Sequence, residues 1–459
     1  MDVRDEFIAR LTAPDGPFPV GTTDVRGVKL RTWDNAPRDL RRLYVAAAQF
    51  GDRTAVTYED ESWTWTEYLE IVGRLARVLR EEHGIGKGDR VGLAMRNYAE
   101  WLFTFAATVS IGAVSVPLNA WWSAVELRFA LADCGAVLFV GDRERVERVQ
   151  SVRSDLPDLR TVVEVRGGDT PGGDVSWDEL LAAAPTPFDL STVDIDPDDD
   201  CTIMYTSGTT GQPKGAVATH RSHASNLMNM IFSGALEAEL SQHRGEPQVA
   251  PPERAVSLVT GPLFHIAGLP MAYLAATAGI QVVLMYKWNA QRALELIERE
   301  RVTGTGGVPT VVRELLDAAE RTDRDLSSLR SLGTGGAQSS TQLIGRIKSR
   351  FSGVVGTGTA YGLTETTGPM VGIGSYDYFQ RPLAVGRPYP VSEVRVVDEA
   401  GTCRRGRSAS PGSAGRRSPA ATGTAPPRRS CPTAGSAPAT WSGWTRTASS
   451  TSSTGSRTS

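Results

Sequence analysis

The chain has 459 residues, of which 40% are hydrophobic and 22% charged, enough for two or three domains or subdomains that bury their own cores without a disulfide or metal staple. The formal net charge of −3 hides an asymmetry: nine arginines and no Asp, Glu or Lys follow Thr402, leaving 40 basic against 52 acidic side chains before it, a net of −12. So acidic a body excludes a nucleic-acid-binding surface, and four cysteines without a CxxC pair exclude a disulfide framework or structural zinc and fit a reducing, cytoplasmic setting.

The opening MDVRDEFIARLTAPDG carries charges where a signal peptide needs an apolar core, so no secretion signal is expected. Residues 1–40 are irregular in Pro and Gly and are expected to wrap the surface as an N-terminal extension. Arg38–Phe50 reads as a short amphipathic helix and Thr54–Tyr58 as a strand. In Glu67–Glu82 the apolar residues Tyr68, Ile71, Val72, Leu75, Val78 and Leu79 recur at helical spacing. Gly84–Asp89 then breaks the chain before the buried strand Val91–Met95.

Trp101–Leu118 is apolar for about the length of a bilayer crossing. Gly112, several hydroxyl residues and Pro117 instead predict a buried helix over Glu100–Ile111 running into a strand at Ala113–Pro117, and no transmembrane segment. A helix at Ser123–Asp133 and a strand at Ala136–Val140 continue the alternation, which predicts an α/β fold with mostly parallel sheets covered on both faces. The Gly-, Pro- and Asp-rich stretches Arg166–Asp174 and Asp194–Asp200 suit a boundary between two α/β subdomains, at about 41–195 and 196–380. Beyond it, strands are expected at Ser257–Thr260 and Gln281–Met285. Helices are expected at Gly268–Ala278, at Asn289–Arg301 with Asn289 as cap, at Val308–Glu320 and at Leu343–Phe351.

The stretch Tyr205-Thr206-Ser207-Gly208-Thr209-Thr210-Gly211-Gln212-Pro213-Lys214-Gly215 gathers four hydroxyls, closely spaced glycines and one lysine. Such a loop offers an oligophosphate many donors within one turn. It is not a Walker loop, because Gly215 stands where that motif needs Ser or Thr after the lysine. A plain Gly/Thr turn between strand and helix is the alternative. The whole string resembles the signature of the adenylate-forming, AMP-binding superfamily, which includes acyl-CoA synthetases, aryl-CoA ligases, luciferases and peptide-synthetase adenylation domains. Tyr361-Gly362-Leu363-Thr364-Glu365-Thr366-Thr367, about 150 residues later, matches the second hallmark of the same superfamily. Pro262-Leu263-Phe264-His265 and Gly335-Gly336-Ala337 look like its acyl-pocket and adenine segments, and Val385–Pro388 like the entry to its small β-barrel subdomain. The resemblance covers roughly residues 40–402.

The resemblance implies ATP-dependent activation of a carboxylic acid, fatty or aromatic, to an acyl-adenylate, followed by transfer to coenzyme A. Thr206, Ser207, Gly208, Thr209, Thr210, Gly211 and Lys214 would hold the β- and γ-phosphates, Thr364 the α-phosphate, and Glu365 a Mg2+ ion. Lys214, Thr364 and Glu365 would be the catalytic groups. Ala337, Tyr361 and Gly362 would flank adenine, with the Tyr361 ring as a stacking surface. His265, Gly335, Gly336 and Ala337 would place the acid, His265 without proton transfer. A homodimer is left open. Two other functions remain open as well: a carrier-protein-loading adenylation domain, or a non-catalytic nucleotide-binding remnant or basic-tailed interaction protein.

Cys403–Ser459 contains no Leu, Ile, Val, Met, Phe or Tyr, so it cannot bury a core and is expected to be disordered. Triplets that start at the third base of each codon permit RGYWNRPA across Pro419–Pro427, WLRTGDLV across Ala434–Ser442 and DEDGFVYVVDRLKD across Trp444–Thr458. These strings look like the continuation of an acyl-CoA synthetase, so a frameshift is expected near residue 402. By the resemblance, the domain over 41–402 then holds only the start of the barrel, at 381–402, and lacks the mobile C-terminal domain. Weak or absent turnover is expected from such a chain.

Overall fold

The computed structural model describes residues 2–168, 172–206, 212–246, 252–351 and 356–394. Local chemistry sets the helix starts. Thr64 Oγ1 accepts the Glu67 amide at 3.2 Å while the Glu67 carboxylate accepts the Thr64 amide at 2.8 Å, a capping box that begins the helix Trp65–Glu81. Ser123 with Glu126 and Ser176 with Glu179 repeat the device for Ala124–Cys134 and Trp177–Ala182. The amide bond to Thr64 holds the Glu67 carboxyl below its ordinary pKa. The expected apolar stripe of the first helix is its buried face, through Tyr68, Val72, Leu75, Val78 and Leu79.

Two sheets organise the molecule. The smaller has seven strands in the order Lys214–Thr219, Asp200–Thr206, Val114–Pro117, Arg90–Ala94, Ala136–Asp142, Thr161–Val165, Val175–Ser176, all parallel except the first pair. The larger has nine, in the order Arg387–Pro388, Gly368–Ile373, Thr359–Leu363, Ser331–Gly335, Gly304–Gly307, Val256–Leu258, Gln281–Leu284, Thr54–Tyr58, Glu61–Thr64. Its six central strands are parallel, and antiparallel partners close both edges. The largest core cluster lies between the sheets, around the helix Ala99–Ser110, every residue of which is buried. That confirms the reading of Trp101–Leu118 as a core helix and strand. Among the described residues no helix is long and apolar enough to cross a membrane.

One expectation changes. The subdomains do not divide sequentially near residue 195: the hairpin 54–64 closes the larger sheet, and the strands 200–206 and 214–219 complete the smaller one. Residues 387–388 extend the larger sheet's edge; of the expected barrel start at 381–402, residues 395–402 lie outside the described residues, as does the tail 403–459. The N-terminal extension is ordered. A helix, Val3–Leu11, precedes the hairpin Val20–Val25/Val28–Trp33, whose two-residue turn puts Arg26 and Gly27 at φ 53° and 82°. Phe18 and Trp33 pack on Phe232 of a long helix, His220–His243.

That long helix escapes a hydrophobic-period reading because its first buried turns carry His220, His223, Asn226 and Asn229. Cys134 and Cys201 are buried free thiols whose pKa burial raises.

Candidate active site

The first motif is a hairpin at the edge of the smaller sheet. Thr206 pairs directly with Lys214, so the connection between them leaves and re-enters the sheet at one point. Ser207, Gly208, Thr209, Thr210 and Gly211 lie outside the described residues. The base of the loop is fixed from behind: the Tyr205 hydroxyl donates to Asp133 Oδ2 at 2.7 Å, with the Ala130 carbonyl 3.0 Å away. Burial, with Cys134 and Asp133 nearby, raises the Tyr205 pKa, so it stays a neutral donor. Thr206 is half-buried and Lys214 exposed. Thr219 ends the returning strand and caps the helix His220–His243 by accepting the Ser222 amide at 3.2 Å.

The second motif is a tight turn on the larger sheet. Strand Thr359–Leu363 runs into a 3-10 turn, Thr364–Thr366, and returns as Gly368–Ile373. Thr366 Oγ1 accepts the Leu363 amide at 2.9 Å and lies 3.0 and 2.9 Å from the Leu363 and Gly368 carbonyls. Thr367 follows at φ 60°, a left-handed conformation unusual for a β-branched residue. Gly368 has φ 118°, and a Cβ there would sit 2.8 Å from Asn226 Nδ2.

The helix His220–His243 joins the two motifs. Asn229 Nδ2 donates to the Pro369 carbonyl at 3.2 Å while its Oδ1 accepts from Trp33 Nε1 at 3.0 Å, and Asn226 donates to the Tyr273 hydroxyl at 2.9 Å. The turn Thr364–Thr366 packs against the strand that begins at Lys214. Glu365, half-buried, lines a cavity with Thr219, Ser222 and Asn226. Among the described residues the walls of that cavity do not include Lys214 or Tyr361.

The two segments expected to flank adenine meet as neighbours. Gly335 pairs with Ala360 in parallel register, which brings Gly336–Ala337 and Tyr361–Gly362 out side by side. Gly336 has φ 75°, and Val308 Cγ1 would lie 3.2 Å from a Cβ there. At Gly362 a Cβ would collide with the Gly368 carbonyl. The Tyr361 ring is 41% exposed, open to a planar partner.

Pro262–His265 follows the strand Val256–Leu258 at the same carboxyl edge of the larger sheet, where ligands of open α/β sheets bind. Leu263 is fully buried and Phe264 meets Trp121 edge-on at 5.2 Å. His265 is exposed at one edge. Its Nδ1 accepts the Ala267 amide at 3.1 Å, and partial desolvation by the fold lowers its pKa below the ordinary histidine value. The ring is therefore largely neutral at pH 7, with Nδ1 as its acceptor. Asn97, Asn226 and Asn229 have structural parts here that the sequence reading did not assign. For Asn97 the available signal was its position just after a buried strand of an α/β sheet.

The family model described as "AMP-binding enzyme" matches residues 43–415. The chain belongs to this family. Among curated relatives of this AMP-binding chain, a feruloyl-CoA synthase of Amycolatopsis sp is 33% identical over 76% of the chain and 64% of the relative. The long-chain-fatty-acid–CoA ligase FadD13 of Mycobacterium tuberculosis is 31% identical over 75% of the chain and 63% of the relative. The chain thus spans somewhat under two thirds of the length of these relatives. The inhibitor-bound N-terminal domain of FACL13 from M. tuberculosis superposes with a TM-score of 0.68 at 26% identity, covering 80% of this chain and 86% of that one. A structure from Rhodopseudomonas palustris, described as a "putative long-chain-fatty-acid CoA ligase", gives 0.68 at 25% identity, covering 81% and 86%.

Proposed function

We propose that this AMP-binding chain activates a carboxylic acid, fatty or aromatic, with ATP, that the acyl-adenylate is the acyl donor to coenzyme A, and that turnover by this chain is impaired. The observation that carries the reading is the packing of the Thr364–Thr366 turn against the strand that starts at Lys214. Two polar segments far apart in sequence thereby lie side by side, which supports their sharing one triphosphate.

A carboxylate is a poor acyl donor because its leaving group would be oxide. Attack of a carboxylate oxygen on the α-phosphorus, with loss of pyrophosphate, gives a mixed anhydride whose leaving group is AMP. The protein's part is placement and charge neutralisation. Lys214 offsets charge on the departing phosphates, Thr364 donates to the α-phosphate, Tyr361 and Ala337 hold the adenine, and the Pro262–His265 segment presents the acid. Among the described residues no three His, Cys, Asp or Glu side chains cluster as a metal site, and Glu365 stands as the single carboxylate of the turn. That donor set fits Mg2+, which binds through one or two carboxylates and takes its other ligands from phosphate oxygens and water. When bound, the ion neutralises phosphate charge.

Pyrophosphate exchange tests the proposal. Labelled pyrophosphate should enter ATP only when a suitable acid is present, across a panel from acetate to long-chain and aromatic carboxylates. ATP binding without exchange for any acid would point instead to a nucleotide-binding remnant. Exchange with amino acids and transfer only to a phosphopantetheine carrier would point to an adenylation domain.

A further inference from the structure

One side chain of the smaller sheet is built into the backbone of the acid-binding segment. Asn97 follows the strand Arg90–Ala94, the strand at which the sheet's order reverses, with Val114–Pro117 on one side and Ala136–Asp142 on the other. Its Nδ2 donates to the Gly261 carbonyl at 2.8 Å and its Oδ1 accepts the Leu263 amide at 3.0 Å. The carboxamide thus takes the place of a neighbouring strand's peptide and satisfies two main-chain groups that a loop between sheets would otherwise leave without partners.

The segment so held has little other freedom. Leu263 is fixed in the core, the His265 amide returns to the Pro262 carbonyl at 3.2 Å, and Gly268 passes so close to Pro262 that any Cβ would strike its carbonyl. The preceding residue adds a second tie: the Arg96 guanidinium lies 5.0 Å from the Trp121 ring and 5.6 Å from that of Tyr286, one ring following a strand of each sheet. Trp121 in turn supports Phe264. Position and orientation of Phe264 and His265 therefore descend from residues 96 and 97 of the other sheet.

We propose that Asn97 is a positioning residue for the carboxylic acid, acting through the backbone of residues 261–263 on Phe264 and His265. This rests on the proposed acid-activating function. Among the described residues no hydrogen bond joins Asn97 to the segments 335–337 and 361–367, so its loss should bear on the acid and not on the nucleotide. In Asn97→Ala both bonds go. In Asn97→Asp the acceptor for Leu263 remains, but a carboxylate faces the Gly261 carbonyl. Asn97→Gln keeps both groups on a longer stem.

The experiment measures acid-dependent pyrophosphate exchange, mant-ATP binding and amide hydrogen exchange on the full chain and these variants. The proposal expects Asn97→Ala to raise the KM for the acid by about 10-fold or more, as two lost hydrogen bonds imply, with the KM for ATP within about twofold. Asn97→Gln should recover part of the loss, and the Leu263 amide should exchange faster in Asn97→Ala. Equal rises in both KM values, or an unchanged acid KM, would overturn it, as would unchanged protection of Leu263. If the wild-type chain binds ATP but no acid of the panel, the acid-activation reading itself fails, and Leu263 protection then reports only a structural brace.

Discussion

Acidification should unfold this protein through two buried histidines at the start of the helix that links the motifs. His220 Nδ1 accepts the Leu40 amide at 3.2 Å, and His223 Nε2 lies 2.9 Å from Thr202 Oγ1 with its ring edge-on to Tyr273. Both side chains are fully buried. Burial pushes His220 from 6.5 down to about 4, with Asp39 and Asp199 opposing and Lys87 and Arg41 assisting. It pushes His223 to about 3, with His220 adding to the effect. In the unfolded chain both titrate near 6.5. Between pH 6.5 and about 4 the unfolded state therefore takes up protons that the folded state refuses, so stability is complete above 6.5 and falls as pH drops through this window. Each ring costs about 1.4 kcal/mol per pH unit, roughly 2 kcal/mol at pH 5, and the pair together about 4 kcal/mol. That is a large share of a typical stability of about 5–15 kcal/mol. Urea unfolding followed by tryptophan fluorescence at pH 7, 6 and 5 measures it in wild type and His223→Gln, which keeps a polar partner for Thr202 and cannot titrate. The variant's stability should fall less steeply with pH, by about 1.4 kcal/mol per unit. Equal slopes would refute the reasoning.

Glu365→Gln should lower pyrophosphate exchange by about 100-fold or more, as loss of a charge-stabilising group does, with stability in urea changed by less than about 0.5 kcal/mol. A wild-type exchange rate would remove Glu365 from the metal-binding role. Gly268→Ala places a methyl group against the Pro262 carbonyl and should cost about 1–3 kcal/mol by overpacking, raising the acid KM and leaving ATP binding intact. Sequencing the encoding DNA should reveal a single-base insertion or deletion near codon 402, and restoring the shifted frame should raise exchange. An uninterrupted frame in independent clones would refute that expectation.

Much of the chain was legible from local pattern. The helix expected over Glu67–Glu82 and found at 65–81, the buried helix expected over Glu100–Ile111 and found at 99–110, and the cap at Asn289 followed from residues three or four positions apart. Asn289 Oδ1 accepts the Arg292 amide at 2.9 Å, as a cap should. The helix 220–243 was missed because its buried face opens with histidine and asparagine, which are satisfied by partners from elsewhere in the chain. The N-terminal hairpin was missed because its core contacts, Phe18 and Trp33 against Phe232, are some two hundred residues away in sequence.

The sequence by itself determined the element types and both polar motifs, since a helical or extended period and a turn's φ requirements depend on near neighbours. Only the tertiary structure decided that strand 54–58 belongs to the sheet that holds the strands 256–258 and 368–373, that strands 200–206 and 214–219 close the other sheet, and that the turn at Glu365 rests on the strand of Lys214. Main-chain hydrogen bonds are alike for every strand pair, so the choice of partner is made by packing of side chains distant in sequence, and no local pattern records it.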